Sequence, residues 1–255
     1  MRAIRAIAVN TFREAIRDRI LYLFVGFAII MVISTKLFGM LTVGDESKIV
    51  KDIGLAAMQF FSMLIAVMMS LLLISREVDN RTVFNILSKP VRRWQFILGK
   101  YLGLVAIVAV NLLLITAVLV VMVLIYTGQF DPMLVFAAAM TMLEMSVLAA
   151  FATLFAVLTR PILGSLMTLA MFIVGHTSAD LWMLTRQLPG TFTRAVITAV
   201  YYLVPNLERF NFKTEVVHDL PIQPAAVGWA VVYALAFVAV LLFLAALRFQ
   251  TKDLK

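Results

Sequence analysis

Apolar residues along this chain fall in long unbroken runs, not at the regular intervals of a half-buried soluble helix or strand. Six such runs cover approximately 20–41, 53–75, 101–127, 132–158, 162–184 and 225–248. A helix needs roughly 20 mainly apolar residues to cross about 30 Å of hydrocarbon, so each run predicts a membrane span. The first carries Lys36 late in its course, and a lysine near a helix end can reach the headgroups while its stem stays in lipid. The third holds Asn111 as its strongly polar interior residue. The ten-residue alternation of a membrane β-barrel is absent from the sequence.

Composition agrees with this pattern. Of 255 residues, 63% are apolar and 14% charged, with a mean hydropathy of +1.02. A soluble domain carries about 45–50% apolar and about 25% charged residues, so a water-soluble globule is excluded. The net charge of +8 would suggest phosphate contacts in a soluble protein. Here the basic residues lie between apolar runs, so they set orientation, and no nucleic-acid partner is expected. With alternate loops assigned to alternate sides, 15 of the Lys and Arg fall on the side of the termini and 7 on the other. The positive-inside rule then places both termini in the cytoplasm. There is no Cys, which removes disulfides, thiolate metal sites and a Cys nucleophile together. No cleaved signal peptide is expected, since the first long apolar run begins at Ile20 without a small-residue cleavage pattern after it.

Three segments that do not span carry more information. Within 1–19, Ile4, Ala8, Phe12, Ala15 and Ile16 share one helical side, with Arg2, Asn10, Arg13 and Arg17 broadly opposite. This predicts an amphipathic helix lying in the membrane interface; the plainer reading is a basic flank that sets topology. In 76–99, Asp79 or Asn80 can cap a short helix whose Val83, Phe84, Ile86 and Leu87 are too apolar for a free solvated loop, and Pro90 ends it. Such a helix, rimmed by Arg92, Arg93 and Lys100, suits a cytoplasmic partner or anionic headgroups. In 185–224 the apolar run up to Pro205 is about half the length needed to cross, which predicts a re-entrant or interfacial segment followed by a small polar cap.

Glu77, Thr82, Ile86, Leu87, Pro90 and Arg93, within SREVDNRT to SKPVRRWQFILGKYLG, resemble the permease subunits of type-2 ABC exporters. The R-x-R-I-L-Y lead into span one and YYLVPNLERFN before span six are similar to permeases of multicopper-enzyme maturation, the nitrous-oxide-reductase assembly type among them. The resemblance implies one all-α polytopic permease domain over 1–255: an elbow helix at 1–19, spans one to five within 20–184, re-entrant helices in 185–224, then span six and a cytoplasmic tail at 225–255. It implies a coupling helix over 77–89 whose Glu77, Asn80, Arg81, Thr82, Phe84, Asn85 and Leu87 meet a cytoplasmic ABC ATPase, with a smaller contact at Arg160. It further implies two ATPase copies, a second permease copy with homodimer as the expected form, and a bacterial inner (plasma) membrane location. The chain has no G-x-x-x-x-G-K-[ST] run, and Gly99-Lys100 leads into Tyr101 at a membrane edge. It is therefore expected to be no enzyme and to bind no cofactor, with ATP and Mg2+ held by the partner. The alternative is a membrane scaffold that holds a periplasmic maturation factor through 206–224 without transport. A stand-alone secondary transporter fits less well, because matching halves with Gly/Pro-broken helices are not seen.

Some polar residues fall inside the spans. A charged Glu144 at mid-span would cost about 2.5–3.5 kcal/mol by insertion scales, so it lies on a translocation path with Asn111, serves a proton-linked switch, or braces a neighbour such as Asn111 or Ser70. His176 and Asp180 share a helix face, and with His218 and Asp219 they allow a metal site to be drawn. The spacing is weak, and a polar helix end is the expected reading. The 15 Met are scattered and read as gap fillers. Gly99 and Gly103 permit close helix approach.

Overall fold

The computed structural model describes residues 2–40, 46–79, 92–178, 198 and 204–251, with backbone alone at 36–40, 70–79 and 251. Its elements are α1 (Arg2–Ile16), α2 (Arg19–Met40), α3 (Glu46–Asp79), α4 (Arg93–Thr127), α5 (Pro132–Leu158), α6 (Pro161–His176), a 3-10 helix (Leu207–Phe210), α7 (Lys213–Val217) and α8 (Pro224–Thr251). There is no strand among the described residues.

Local chemistry explains most of the helix ends. Asp18 Oδ1 accepts from Ile20 N at 3.0 Å and starts α2. Gln95 Oε1 accepts from Arg92 N at 3.2 Å at the head of α4, and Gly128, at φ 69°, closes its tail by donating its N–H to Leu124 O. Asp131 caps α5 by accepting from Met133 N at 2.9 Å. Pro132 and Pro161 occupy the first turns of α5 and α6, where a missing N–H costs nothing.

Among the described residues, four helices are long and apolar enough to cross a membrane: α3 over 46–69, α4, α5 and α8 over 224–250. The other two predicted spans coincide with shorter apolar stretches, 19–35 of α2 and 161–176 of α6. At 1.5 Å per residue the 16 residues of α6 rise about 24 Å, less than the hydrocarbon thickness. The 34 residues of α3 rise about 51 Å and overrun it.

The helices form a bundle with α3, α4 and α5 mutually in contact at its centre, α2 against α3, α6 against α3 and α5, and α8 against α4 and α5. Ile65, Met69, Ile107, Met145 and Leu148 fill one core, while Val50, Met58, Ile115, Leu119 and Leu134 fill a second. Ladders of exposed apolar side chains run down α4 (Leu113, Val121, Ile125) and α8 (Trp229, Leu235, Phe243), surfaces that a bilayer covers. Arg93 Nη1 donates to Phe249 O and Gln250 O at 3.0 and 2.8 Å. The head of α4, the tail of α8 and α1 thus share one end of the bundle, called here the terminus end. The 204–224 cap lies at the other.

The apolar stripe of α1 packs on α4, burying Thr11 and Ala15. Gly99 and Gly103 make this possible: a Cβ on Gly99 would lie 2.7 Å from Ile7 Cβ, and one on Gly103 2.6 Å from Thr11 Cβ. The bare glycine track lets the backbone of α1 approach that of α4 closely.

Candidate functional site

Asn80, Arg81, Thr82, Phe84, Asn85 and Leu87 lie outside the described residues, as does Asp180, and of Glu77 only the backbone, inside α3, is described. The placement of their flanks is clear. α3 is helical as far as Asp79 and α4 restarts at Arg93, so residues 80–92 join two helices at the terminus end. Arg160 is exposed at the same end, in extended conformation at the head of α6.

Within the bundle, three helices converge on Glu144. Its carboxylate is 1% exposed. From α3, Gln59 Nε2 donates to Glu144 Oε2 at 2.9 Å and to Oε1 at 3.2 Å. From the tail of α6, His176 Nε2 lies 3.3 Å from Glu144 Oε1 and 2.9 Å from Gln59 Nε2. The other ring nitrogen, Nδ1, lies 3.1 Å from Phe172 O, which fixes the ring as a donor there. Of the braces named from sequence, Asn111 is not the partner: its Nδ2 donates to Ser62 Oγ at 3.5 Å, between α4 and α3. The Ser70 side chain lies outside the described residues. Gln59 was the detectable omission, being with Ser62 one of two polar residues in the middle of the second apolar run.

A small cavity of about 20 Å³ adjoins Glu144, bounded on the bundle side by Gln59 and Thr141 and on the cap side by Phe210, Asn211, Phe212 and Lys213. The cap is fastened at several points. Lys51 Nζ pairs with Asp131 Oδ2 at 2.6 Å and reaches Asp219 Oδ1 at 3.7 Å, while Lys213 Nζ pairs with Asp52 Oδ1 at 2.9 Å. Asn206 N donates to Tyr233 Oη at 2.9 Å, and the Arg209 guanidinium stands 4.9 Å from the centre of that ring. Leu207 and Pro205 O press on Gly175, where an added Cβ would meet them at 2.7 and 2.9 Å. Gly175→Val is therefore expected to lift the cap at a cost of about 1–3 kcal/mol, and faster tryptic cleavage at Arg209 and Lys213 in the folded protein would report it.

His176 is engaged with Glu144, and His218 is exposed at the end of α7. Among the described residues no group of three or more His, Asp or Glu side chains is arranged to hold a metal ion.

Residues 5–254 match the profile of a family described as "ABC-2 family transporter protein". No curated protein matches the chain.

Proposed function

The chain belongs to the ABC-2 transporter family, as a membrane-spanning subunit of an ABC transporter, and from that premise we propose that it is the permease of an exporter worked by a separate cytoplasmic ATPase. The observation that carries this reading is the geometry of α3. It is about 51 Å long, longer than the hydrocarbon, and delivers Glu77 and the 80–92 connection to the end of the bundle opposite the cap. A rigid helix emerging there converts a push on its tip into movement of the Gln59–Glu144 layer.

In this proposal Glu77, Asn80, Arg81, Thr82, Phe84, Asn85 and Leu87 engage the ATPase, with Arg160 as a second contact. Two ATPases, which hold the ATP and Mg2+, and two copies of this chain form the transporter. α2 and α6 complete six passes of a bacterial inner membrane with both termini cytoplasmic, a topology supported by the excess of basic residues at the terminus end. The R-x-R-I-L-Y and YYLVPNLERFN sequences support a narrower place among metalloenzyme-maturation permeases. The scaffold alternative needs 206–224 as a free docking surface, whereas Leu207, Phe210, Val216 and Val217 of this segment are buried in the bundle, which favours transport.

The test is co-purification with the ATPase encoded beside this chain, followed by ATP turnover in proteoliposomes. Phe84→Asp and Arg81→Glu are each expected to weaken the complex about thirtyfold, the effect of losing about 2 kcal/mol at an interface hot spot, and to abolish permease-dependent turnover. A complex that survives both substitutions with unaltered turnover would refute the coupling assignment.

A further inference from the structure

The buried cluster of Gln59, Glu144 and His176 does something that neither coupling nor packing requires. Gln59 brings its amide N–H groups to Glu144 Oε2 and His176 Nε2, both at 2.9 Å, so with the ring neutral and its proton on Nδ1 both atoms are acceptors. Glu144 Oε1 and His176 Nε2 then face each other at 3.3 Å. Without a hydrogen between them, two lone pairs oppose one another in a site where the carboxylate is 1% exposed. One proton makes the contact attractive, either as a carboxyl O–H directed at a neutral imidazole that still accepts from Gln59, or as an imidazolium N–H directed at the carboxylate, in which case the Gln59 amide donates to the carboxylate oxygens alone.

Among the described residues, the other groups around Glu144 supply no competing cation. From α3, besides neutral Gln59, the charges near its head are Glu46, Lys48, Lys51 and Asp52, of which Lys51 and Asp52, the two nearest Gln59 along the helix, are engaged with Asp131 and Lys213. α5 holds no other charged residue, its cap Asp131 is paired with Lys51, and α6 brings His176. From the 3-10 helix comes Glu208, exposed and accepting from Asn211 Nδ2 at 2.9 Å. α7 brings Lys213, paired with Asp52, and Glu215. From α4 and α8 the groups near this layer are the uncharged Asn111 and Tyr233.

The cavity beside the cluster supplies a route. About 20 Å³ accommodates one water, and Thr141, Glu144, Asn211 and Lys213 along its wall offer the polar partners such a water needs. Lys213 and Asp52, at the far side of this wall, are 28% and 54% exposed. We infer that Glu144 and His176 form a site for a single exchangeable proton, filled from the cap side of the membrane through the cavity under residues 210–213. The inference goes beyond the permease reading and does not rest on it, because the site lies in the bundle and its test needs neither ATPase nor nucleotide.

The experiment is covalent trapping of the protonated carboxyl in the full-length chain in lipid nanodiscs. Dicyclohexylcarbodiimide adds a carboxyl O–H across one C=N bond, oxygen to carbon and proton to nitrogen, and the adduct rearranges to a stable N-acylurea. Mass spectrometry then reads a peptide heavier by one whole reagent at Glu144. Wild-type labelling at Glu144 is expected to follow a single protonation, falling about tenfold per pH unit above the midpoint, and Glu144→Gln is expected to remove it. His176→Asn is expected to move the midpoint by about one unit or more, which loss of a mere brace would not do. Thr141→Leu, which fills the cavity, is expected to slow labelling severalfold at fixed pH. A Glu144 that stays unlabelled at every pH, or is labelled equally across the range, overturns the site. A rate unchanged by Thr141→Leu overturns the route.

Discussion

Gly103→Leu should release α1 from the bundle. A Cβ at this position would sit 2.6 Å from Thr11 Cβ and 2.9 Å from Ala8 O. Both belong to the backbone or stand directly on it, so no rotamer change relieves the clash and α1 must move as a body. Overpacking alone costs about 1–3 kcal/mol; displacement also uncovers Thr11 and Ala15, which are buried against α4, and weakens the contact of Lys100 Nζ with Glu14 Oε2, now 3.9 Å. A total near 3 kcal/mol corresponds to a fall of roughly 6–12 °C in melting temperature for a chain of this size. Arg13 and Arg17 are already exposed, and with α1 detached their peptide bonds should be cut by trypsin before the rest of the chain unfolds. Gly99→Leu should behave alike, and the double variant should fall short of the sum because both act on one interface. Gly26→Leu and Gly228→Leu are the controls. No atom lies within 4 Å of a Cβ at either position, and relief of glycine's entropy cost should raise stability by about 0.5–1 kcal/mol. Equal melting of Gly103→Leu and Gly26→Leu would remove the glycine track as the anchor of α1.

The parts of this architecture that depend on composition over 20 or more residues were legible in the sequence, as α4, α5 and α8 illustrate: hydropathy is a property of the segment itself. Glu144 was legible as an anomaly, since a carboxylate inside an apolar run demands some compensation. Its compensators were not legible, because Gln59 lies 85 positions from Glu144 and 117 from His176 along the chain, and helix packing sets which polar residues meet. The same holds for Lys51 with Asp131 and for Lys213 with Asp52. The glycines at 99 and 103 were readable as a packing signal, but not their partner: position at a membrane edge weakens the case for a neighbouring span and is the depth at which an elbow helix lies. The 77–89 reading rested on the resemblance and on its apolar residues, and the structure adds the position of its two flanking helices.

Lys51→Met is expected to have the second large effect. Lys51 and Asp131 pair at 2.6 Å with side chains 9% and 15% exposed, so water replaces little of what the pair loses. Removing one member of a buried pair costs about 3–5 kcal/mol; the residual exposure of both groups moves the expectation to about 2–3 kcal/mol. Asp131 has a second duty, since its Oδ1 accepts from Met133 N as the cap of α5. Asp131→Ala therefore loses the cap as well, worth about 1 kcal/mol, and should be the most damaging single change in the cluster, whereas Asp131→Asn keeps the cap acceptor and should cost less. Asp219, 70% exposed and 3.7 Å from Lys51, should contribute little when changed to Asn. The combination Lys51→Met with Asp131→Asn removes both charges and should be less harmful than the sum of the two, giving a coupling of about 1 kcal/mol or more in a double-mutant cycle. Because Lys51 ties the head of α3 to the head of α5 and to the end of the cap, the loss should also appear locally, as faster amide exchange over 207–219 than over α4. A cycle with no coupling, or exchange that rises uniformly across the chain, would mean that the cap is held by its buried apolar residues and that the ion pair is incidental to it.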